Sequence, residues 1–389
     1  MTNNHYKISR INSFLLAILL CLPCVVSIVN AIVSMSNISV IISLLIMIIS
    51  VIINKGVRIH KTNLLYYYLI ISVFLISLAL NGQSCLNYLL HFLIFGSTAL
   101  VLTSSTYEEK DVIDISILIY VVFIIFFLLY IKDQYVGSDD YYSKQMGIAY
   151  SFLPGIVWAL IRLIYGKLFL NNTLLNKLIS LFVLIGAIYI ILFLTMTRGA
   201  LISMMFASLA ILMVNVDKNK RVIYYFVFGA FVITVMAVSW NYLLQYTQDT
   251  SIAALKKLSS LAENNEDLTT GRADLYLNAV NIIRRYPILG RGVGYFEMSN
   301  EIYSHQFFLQ LLCEVGVIGT LIFARPIFAI LKTSLFSSLS ETQFIPLGLV
   351  VSTLLMLQYS NVHWYQPNFW VLFFLYPYSK NAQCNMKNI

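Results

Sequence analysis

The segment VIDISILIYVVFIIFFLLYI, residues 112–131, decides the fold class. It is 20 residues long and apolar almost throughout, which is the length an α-helix needs to cross the hydrocarbon core of a bilayer. Lipid offers no hydrogen bonds to an exposed backbone, and a helix satisfies its own. Segments of the same kind recur in both directions from it. Upstream they fall at 11–33, 38–54, 64–80 and 86–102. Downstream they fall at 146–165, 178–196, 199–214, 222–240, 307–327, 344–359 and 364–378, the last being short. The expectation is an all-α, polytopic integral membrane protein with about 12 transmembrane helices, folded as one domain over residues 1–389.

Composition agrees with this reading. The chain is 59% hydrophobic and 11% charged, against about 25% charged for a soluble domain. Its mean hydropathy is +0.81. Little surface remains for a large soluble domain. The net charge of +8 sits mainly in short loops that orient helices, which argues against a nucleic-acid partner. Cys21 and Cys24 have the spacing of a redox pair, but they lie inside an apolar segment, so the spacing reads as coincidence. Lys7 and Arg10 precede a first apolar run too long for a cleaved signal peptide, so that run reads as an uncleaved first helix.

Basic residues set the orientation. With the N-terminus in the cytoplasm, Lys7, Arg10, Lys55, Arg58, Lys61, Lys167, Lys177, Lys218, Lys220, Arg221, Lys332 and Lys380 all fall inside. Both termini are then cytoplasmic. Glu108 and Glu109 fit this less well, but acidic residues count little in the rule. Most outer loops are very short. The exception is 241–306, a large polar loop on the outer side. Loops this long are often functional. Within it, 273–285 carries apolar residues at Leu275, Leu277, Val280, Ile282 and Ile283, which reads as an amphipathic helix on the membrane surface. Tyr286-Pro287 ends it. Gly290-Arg291-Gly292-Val293-Gly294 then reads as a flexible turn.

On this topology three polar residues collect on the outer face. Arg198 lies in the tight turn between the seventh and eighth spans, against the charge bias. A guanidinium there is either a snorkelling anchor or an anion ligand with a planar fork of donors. Arg272 opens the loop helix, where free backbone N–H groups also favour an anion; the alternative is a solvated surface arginine. His305 stands where the tenth span begins. An imidazole titrates near neutrality and suits a proton acceptor, though it also serves as an interfacial residue bonded to a loop carbonyl. Arg284, Arg285 and Arg291 extend the basic surface, mostly as headgroup contacts. Glu314 lies two turns into the span and reads as a structural partner for an arginine or hydroxyl, or as a direct participant. His363 is a weaker candidate. The histidines are scattered and no carboxylate pair has metal-ligand spacing, so no metal or other cofactor is expected.

Four motifs then occur in order: Leu194-Thr195-Met196-Thr197-Arg198-Gly199-Ala200, Thr270-Gly271-Arg272, Pro287 through Gly294, and Ser304-His305-Gln306 through Gly319. In this order, with the long loop between them, they resemble the O-antigen ligase/polymerase superfamily over about residues 178–325. The resemblance implies metal-independent glycosyl transfer from undecaprenyl-diphosphate donors at the periplasmic face of the bacterial inner membrane. It implies Arg198 and Arg272 as diphosphate ligands and His305 as the acid–base or acceptor-orienting residue. Gln306 departs from the asparagine that members often carry, so its amide role is open. The expected activity is a polymerase joining lipid-linked oligosaccharide repeat units. The alternatives are a ligase that moves the finished chain to the lipid A core, and a lipid-linked oligosaccharide flippase. Expected partners are the undecaprenyl-diphosphate-linked oligosaccharide, membrane lipids and a chain-length regulator protein.

Overall fold

The computed structural model describes residues 2–33, 37–131, 141–166, 173–195, 197–214, 272–336, 344–359 and 362–375. The ninth expected span, 222–240, and the loop segment 241–271 lie outside the described residues.

Every regular element among the described residues is helical. The chain runs through α1 (Thr2–Leu20), α2 (Leu22–Ile32), α3 (Ile38–Ile53), α4 (Lys61–Asn81), α5 (Gln83–Ser104), α6 (Glu109–Ile131) and α7 (Met146–Ile164). It continues through α8 (Leu174–Leu194), α9 (Arg198–Met213), α10 (Arg272–Arg285), α11 (Tyr295–Asn300), α12 (Phe307–Phe336), α13 (Phe344–Gln358) and α14 (Pro367–Phe374). Six of these are long and apolar enough to cross a bilayer: α4, α5, α6, α7, α8 and α12 up to Lys332. They establish an integral membrane protein. Leu75, Ile76 and Leu80 on α4, and Leu181 and Ile185 on α8, face outward where only lipid would welcome them.

The twelve expected spans are met in part. The first is a bent pair: α1 and α2 meet at Cys21 at 74°. Pro23 sits in the first turn of α2, where its missing N–H breaks a continuous helix. The second, eighth and eleventh are apolar helices shorter than a full crossing. Within the last, the described helix is α14, eight residues and about 12 Å at 1.5 Å per residue.

Polar contacts sort the helix ends into two groups. At one end Asn12 Nδ2 donates to Asn54 Oδ1 (3.0 Å) and to the Thr106 carbonyl (2.9 Å). Asn63 Nδ2 donates to the Phe374 carbonyl (2.8 Å), and Arg162 Nε donates to Asp114 (2.8 Å). At the other end Ser77 and Asn81 of α4 bond the 291–293 backbone, and Gln306 bonds Gln358 of α13. Helices that alternate in direction would bring these residue numbers together in just this way.

The tenth span is not one helix. α12 breaks at Gly316, whose φ of 61° and ψ of −168° suit essentially glycine alone. The break deprives the Cys313 and Glu314 carbonyls of their helical donors, Val317 N and Ile318 N. The 287–292 loop supplies all four missing partners. Arg291 N and Gly292 N donate to the Cys313 and Glu314 carbonyls (both 2.8 Å), while Val317 N and Ile318 N donate to the Pro287 (2.9 Å) and Ile288 (3.2 Å) carbonyls. Unsatisfied backbone groups at membrane depth cost several kcal/mol each, so the loop and the break stabilise one another. A Cβ at Gly316 would collide with the Ile288 carbonyl, and one at Gly290 with the Glu314 carbonyl. The expected flexible turn at 290–294 is therefore a seated clasp. Its far side is bonded too: Val293 N donates to Ser77 Oγ (2.9 Å), and Asn81 Nδ2 donates to the Val293 carbonyl (3.0 Å).

Candidate functional site

The clasp places α10 against α12. Leu275, Ala279, Ile282 and Ile283 pack on Leu309, Cys313 and Phe296, and Cys313 Sγ donates to the Ala279 carbonyl (3.4 Å). The amphipathic pattern of 273–285 thus buries against another helix, while Leu277, Arg284 and Arg285 remain exposed. Between α11 and α12 the chain makes the turn that carries His305.

That turn is held on both sides of the histidine. Ser304 N donates to Gln310 Oε1 (3.0 Å), and Ser304 Oγ donates to the Gln306 carbonyl (2.9 Å). The Gln306 amide caps α12 by accepting from Leu309 N, and its NH2 reaches Gln358 Oε1 (3.0 Å). The lengthened Gln306 side chain is spent on these two bonds. His305 itself takes a left-handed φ of 56°, a conformation uncommon for a residue with a Cβ. Its ring lies 4.1 Å from that of Tyr303, centroid to centroid. Its Nδ1 is buried with no hydrogen-bond partner among the described residues.

Arg272 is close enough to act on it electrostatically. Burial, and then the Arg272 guanidinium, push the His305 imidazole down to about 4. The ring is therefore neutral at neutral pH. Arg272, at the described start of α10, thus lies within electrostatic range of the His305 ring. For Arg198 it describes the backbone: this is the first residue of α9. α9 packs against α13, the helix whose Gln358 bonds Gln306. Just before it, Thr195 and Thr197 are buried and joined through their hydroxyls (3.3 Å).

Other expected residues have different surroundings. Arg291 is not a simple headgroup contact. Its guanidinium lies over the rings of Tyr286 (5.0 Å) and Tyr295 (5.1 Å), and its backbone belongs to the clasp. Among the described residues neither an arginine nor a hydroxyl donates to Glu314. It accepts from Gln310 Nε2 (2.6 Å) and from the Trp364 indole (2.8 Å). His363 is fully enclosed by Phe307, Trp364 and Phe369, and burial lowers it to about 3, so it is a neutral packing residue. Cys21, Cys24, Cys85 and Cys313 are free and buried. No group of three or more His, Cys, Asp or Glu is placed to hold a metal ion among the described residues.

Glu297, Gln310, Gln358 and Trp364 were not anticipated. Gln310 Nε2 also donates to Glu297 Oε1 (2.8 Å), so one amide bridges two carboxyl groups. Burial raises Glu297 above the usual carboxylate range. One signal was available: Gln306, Gln310 and Glu314 recur every four residues in an otherwise apolar helix, which puts them on one face.

No curated protein matches this chain. Residues 179–324 match the family model described as O-Antigen ligase. The match runs from α8 into the second half of α12 and so contains the Arg198 turn, α10, the clasp and His305. Members of that family are glycosyltransferase-like proteins acting on lipid-linked oligosaccharides in membranes. Over those residues the chain is similar to the O-antigen ligase/polymerase superfamily.

Proposed function

We propose that the protein is an O-antigen polymerase, a metal-independent glycosyltransferase that joins undecaprenyl-diphosphate-linked repeat units on the periplasmic face of the inner membrane. The observation that carries this reading is the left-handed turn at His305, whose buried Nδ1 has no partner among the described residues and whose ring feels the Arg272 charge. The donor is a glycan whose anomeric carbon bears the lipid diphosphate. An acceptor hydroxyl, on the repeat unit of a second lipid, forms a new bond to that carbon as the bond to the diphosphate oxygen breaks. Arg198 and Arg272 bind the departing diphosphate and stabilise the charge that it gains. His305 accepts the hydroxyl proton, a role typically contributing about 10²- to 10⁴-fold.

Arg272 also tunes the base. In the free protein its charge disfavours a protonated imidazole. A bound diphosphate offsets that charge, so His305 becomes a stronger proton acceptor once the donor is in place. The short interval between Arg272 and His305 favours the polymerase over a ligase that delivers the finished chain to the lipid A core. The clustering of Arg272, His305 and Arg291 at one end of the bundle disfavours a flippase, which places its polar groups near the midplane.

Complementation of a deletion strain tests this. Arg198→Ala, Arg272→Ala and His305→Ala are each expected to insert normally and to abolish the ladder of surface polysaccharide lengths. A single repeat unit on the lipid A core marks a polymerase; long lipid-linked chains with a bare core mark a ligase. Full ladders from all three variants would remove the catalytic assignment. Loss of labelled-lipid translocation with coupling intact would favour the flippase.

A further inference from the structure

The His305 turn is braced from inside the span by a chain of side-chain hydrogen bonds. Trp364, in the short turn His363–Tyr365, donates to Glu314 Oε2 (2.8 Å). Glu314 Oε1 accepts from Gln310 Nε2 (2.6 Å), and the same nitrogen donates to Glu297 Oε1 on α11 (2.8 Å). The two hydrogens of one amide are thus both used, which leaves its oxygen facing the other way. That oxygen receives the Ser304 N–H (3.0 Å), one residue before His305. An amide with both hydrogens committed cannot rotate by half a turn without setting its NH2 against the Ser304 N–H. Gln310 is 3% exposed and Glu314 1%, so water does not compete for these bonds.

The clasp adds to this brace from the other direction. The Glu314 carbonyl accepts from Gly292 N, so the residue holding Gln310 is itself tied to the loop that follows α10. Arg272, at the described start of α10, and His305 are therefore referred to the same two turns of α12. We propose that Gln310 is a positioning residue for His305: through Ser304 it holds the left-handed turn that directs the imidazole, and the Glu297 and Glu314 carboxyl groups lock the orientation of its amide. This rests on His305 as the proton acceptor, yet the brace can be measured without any turnover.

The test uses the full-length protein purified in detergent. Diethylpyrocarbonate acylates neutral imidazoles, and mass spectrometry reads the rate at each histidine, with the exposed His60 and the half-buried His91 as internal references. Gln310→Met keeps the side-chain length and removes every hydrogen bond. It is expected to speed acylation of His305 about fivefold, the opening expected from losing one net hydrogen bond, with His60 and His91 unchanged. An unchanged His305 rate in this variant overturns the proposal. Should Gln310→Met fail to insert, Glu297 carries the test, because it lies on α11 outside the spans. Glu297→Ala is expected to raise the His305 rate, and Glu297→Gln, whose amide oxygen still accepts from Gln310, to restore it. Equal rates in those two variants and the parent overturn the brace. The outcome is independent of whether His305→Ala retains polysaccharide synthesis, so failure here and failure of the polymerase reading are told apart.

Discussion

The two ends of the helix bundle both bury polar side chains, and they do so in opposite ways. At the end holding Asn12, Asn54, Thr106, Asp114 and Arg162, the contacts tie one helix to another in short reciprocal sets. At the end holding His305, the contacts run as a chain from Trp364 through Glu314, Gln310 and Ser304, and stop beside an imidazole nitrogen with no partner among the described residues. The first end also keeps ordinary helical backbone in α6 and α7, while the second has a left-handed histidine and a span broken at Gly316. Polar burial that closes on itself serves packing. Polar burial that ends in a strained residue with spare bonding capacity leaves that residue available for chemistry.

The largest expected effect comes from attacking the clasp. Gly316→Val forces a β-branched side chain into backbone nearly reserved for glycine, at a strain of about 1–3 kcal/mol, and drives a Cβ into the Ile288 carbonyl. The protein should accumulate poorly and melt early in fluorescence-detected size-exclusion chromatography. Normal levels and melting would mean that the broken span is not what holds the site end together.

At the opposite end, Arg162→Ala strands Asp114 beside buried neighbours. Arg162 is 2% exposed, so the loss should be roughly 3 kcal/mol, less than a fully enclosed pair because Asp114 is partly solvated. The melting temperature should drop while polysaccharide chain length per folded protein stays the same. A changed ladder would show that the two ends are not separable.

A finer probe is the titration of His305. Its folded value is about 4, against an ordinary value near 6.5. The unfolded chain takes up a proton as pH falls through 6.5, whereas the folded chain resists until about 4. His305 therefore costs stability progressively between those values on acidification and contributes nothing to the pH dependence above them. Arg272→Ala removes the smaller of the two causes. The midpoint, followed by the pH dependence of His305 acylation, should rise but stop short of 6.5, because burial remains. A stationary midpoint would separate the two residues in space.

The smallest effect is expected from Arg10→Ala. Its guanidinium lies 4.0 Å from Asp111 and both side chains are solvated, so stability should change by less than about 0.5 kcal/mol. A larger loss in a thermal melt would mean that this end relies on its surface charges.

Much of the fold is legible in hydrophobic length alone. The segments around 64–80, 86–102, 112–131, 146–165 and 178–196 appear as long helices with small shifts at their ends, and 307–327 as a helix broken at Gly316. The misreadings share one cause. Length and polarity say that a segment can cross a bilayer, but not whether it bends. Pro23 marks the bend between α1 and α2 plainly enough. Gly316 does not, because a glycine in an apolar run is tolerated inside a helix as readily as it breaks one. Arg272 and His305 were visible as polar residues out of keeping with their surroundings. Glu297 has no such mark in the sequence, because its link to Gln310 depends on how α11 folds back over α12.

The amino-acid order by itself determined that this is a membrane protein of helices and which polar residues flank its long polar loop, because lipid admits only self-satisfied backbone and penalises charge wherever it falls. The tertiary structure alone decided that a loop supplies four backbone hydrogen bonds in place of the two that a broken span loses, and that a glutamine locked by two carboxyl groups braces the histidine. Those contacts join groups far apart in the chain, and a hydrogen bond depends on distance and direction that no residue type encodes.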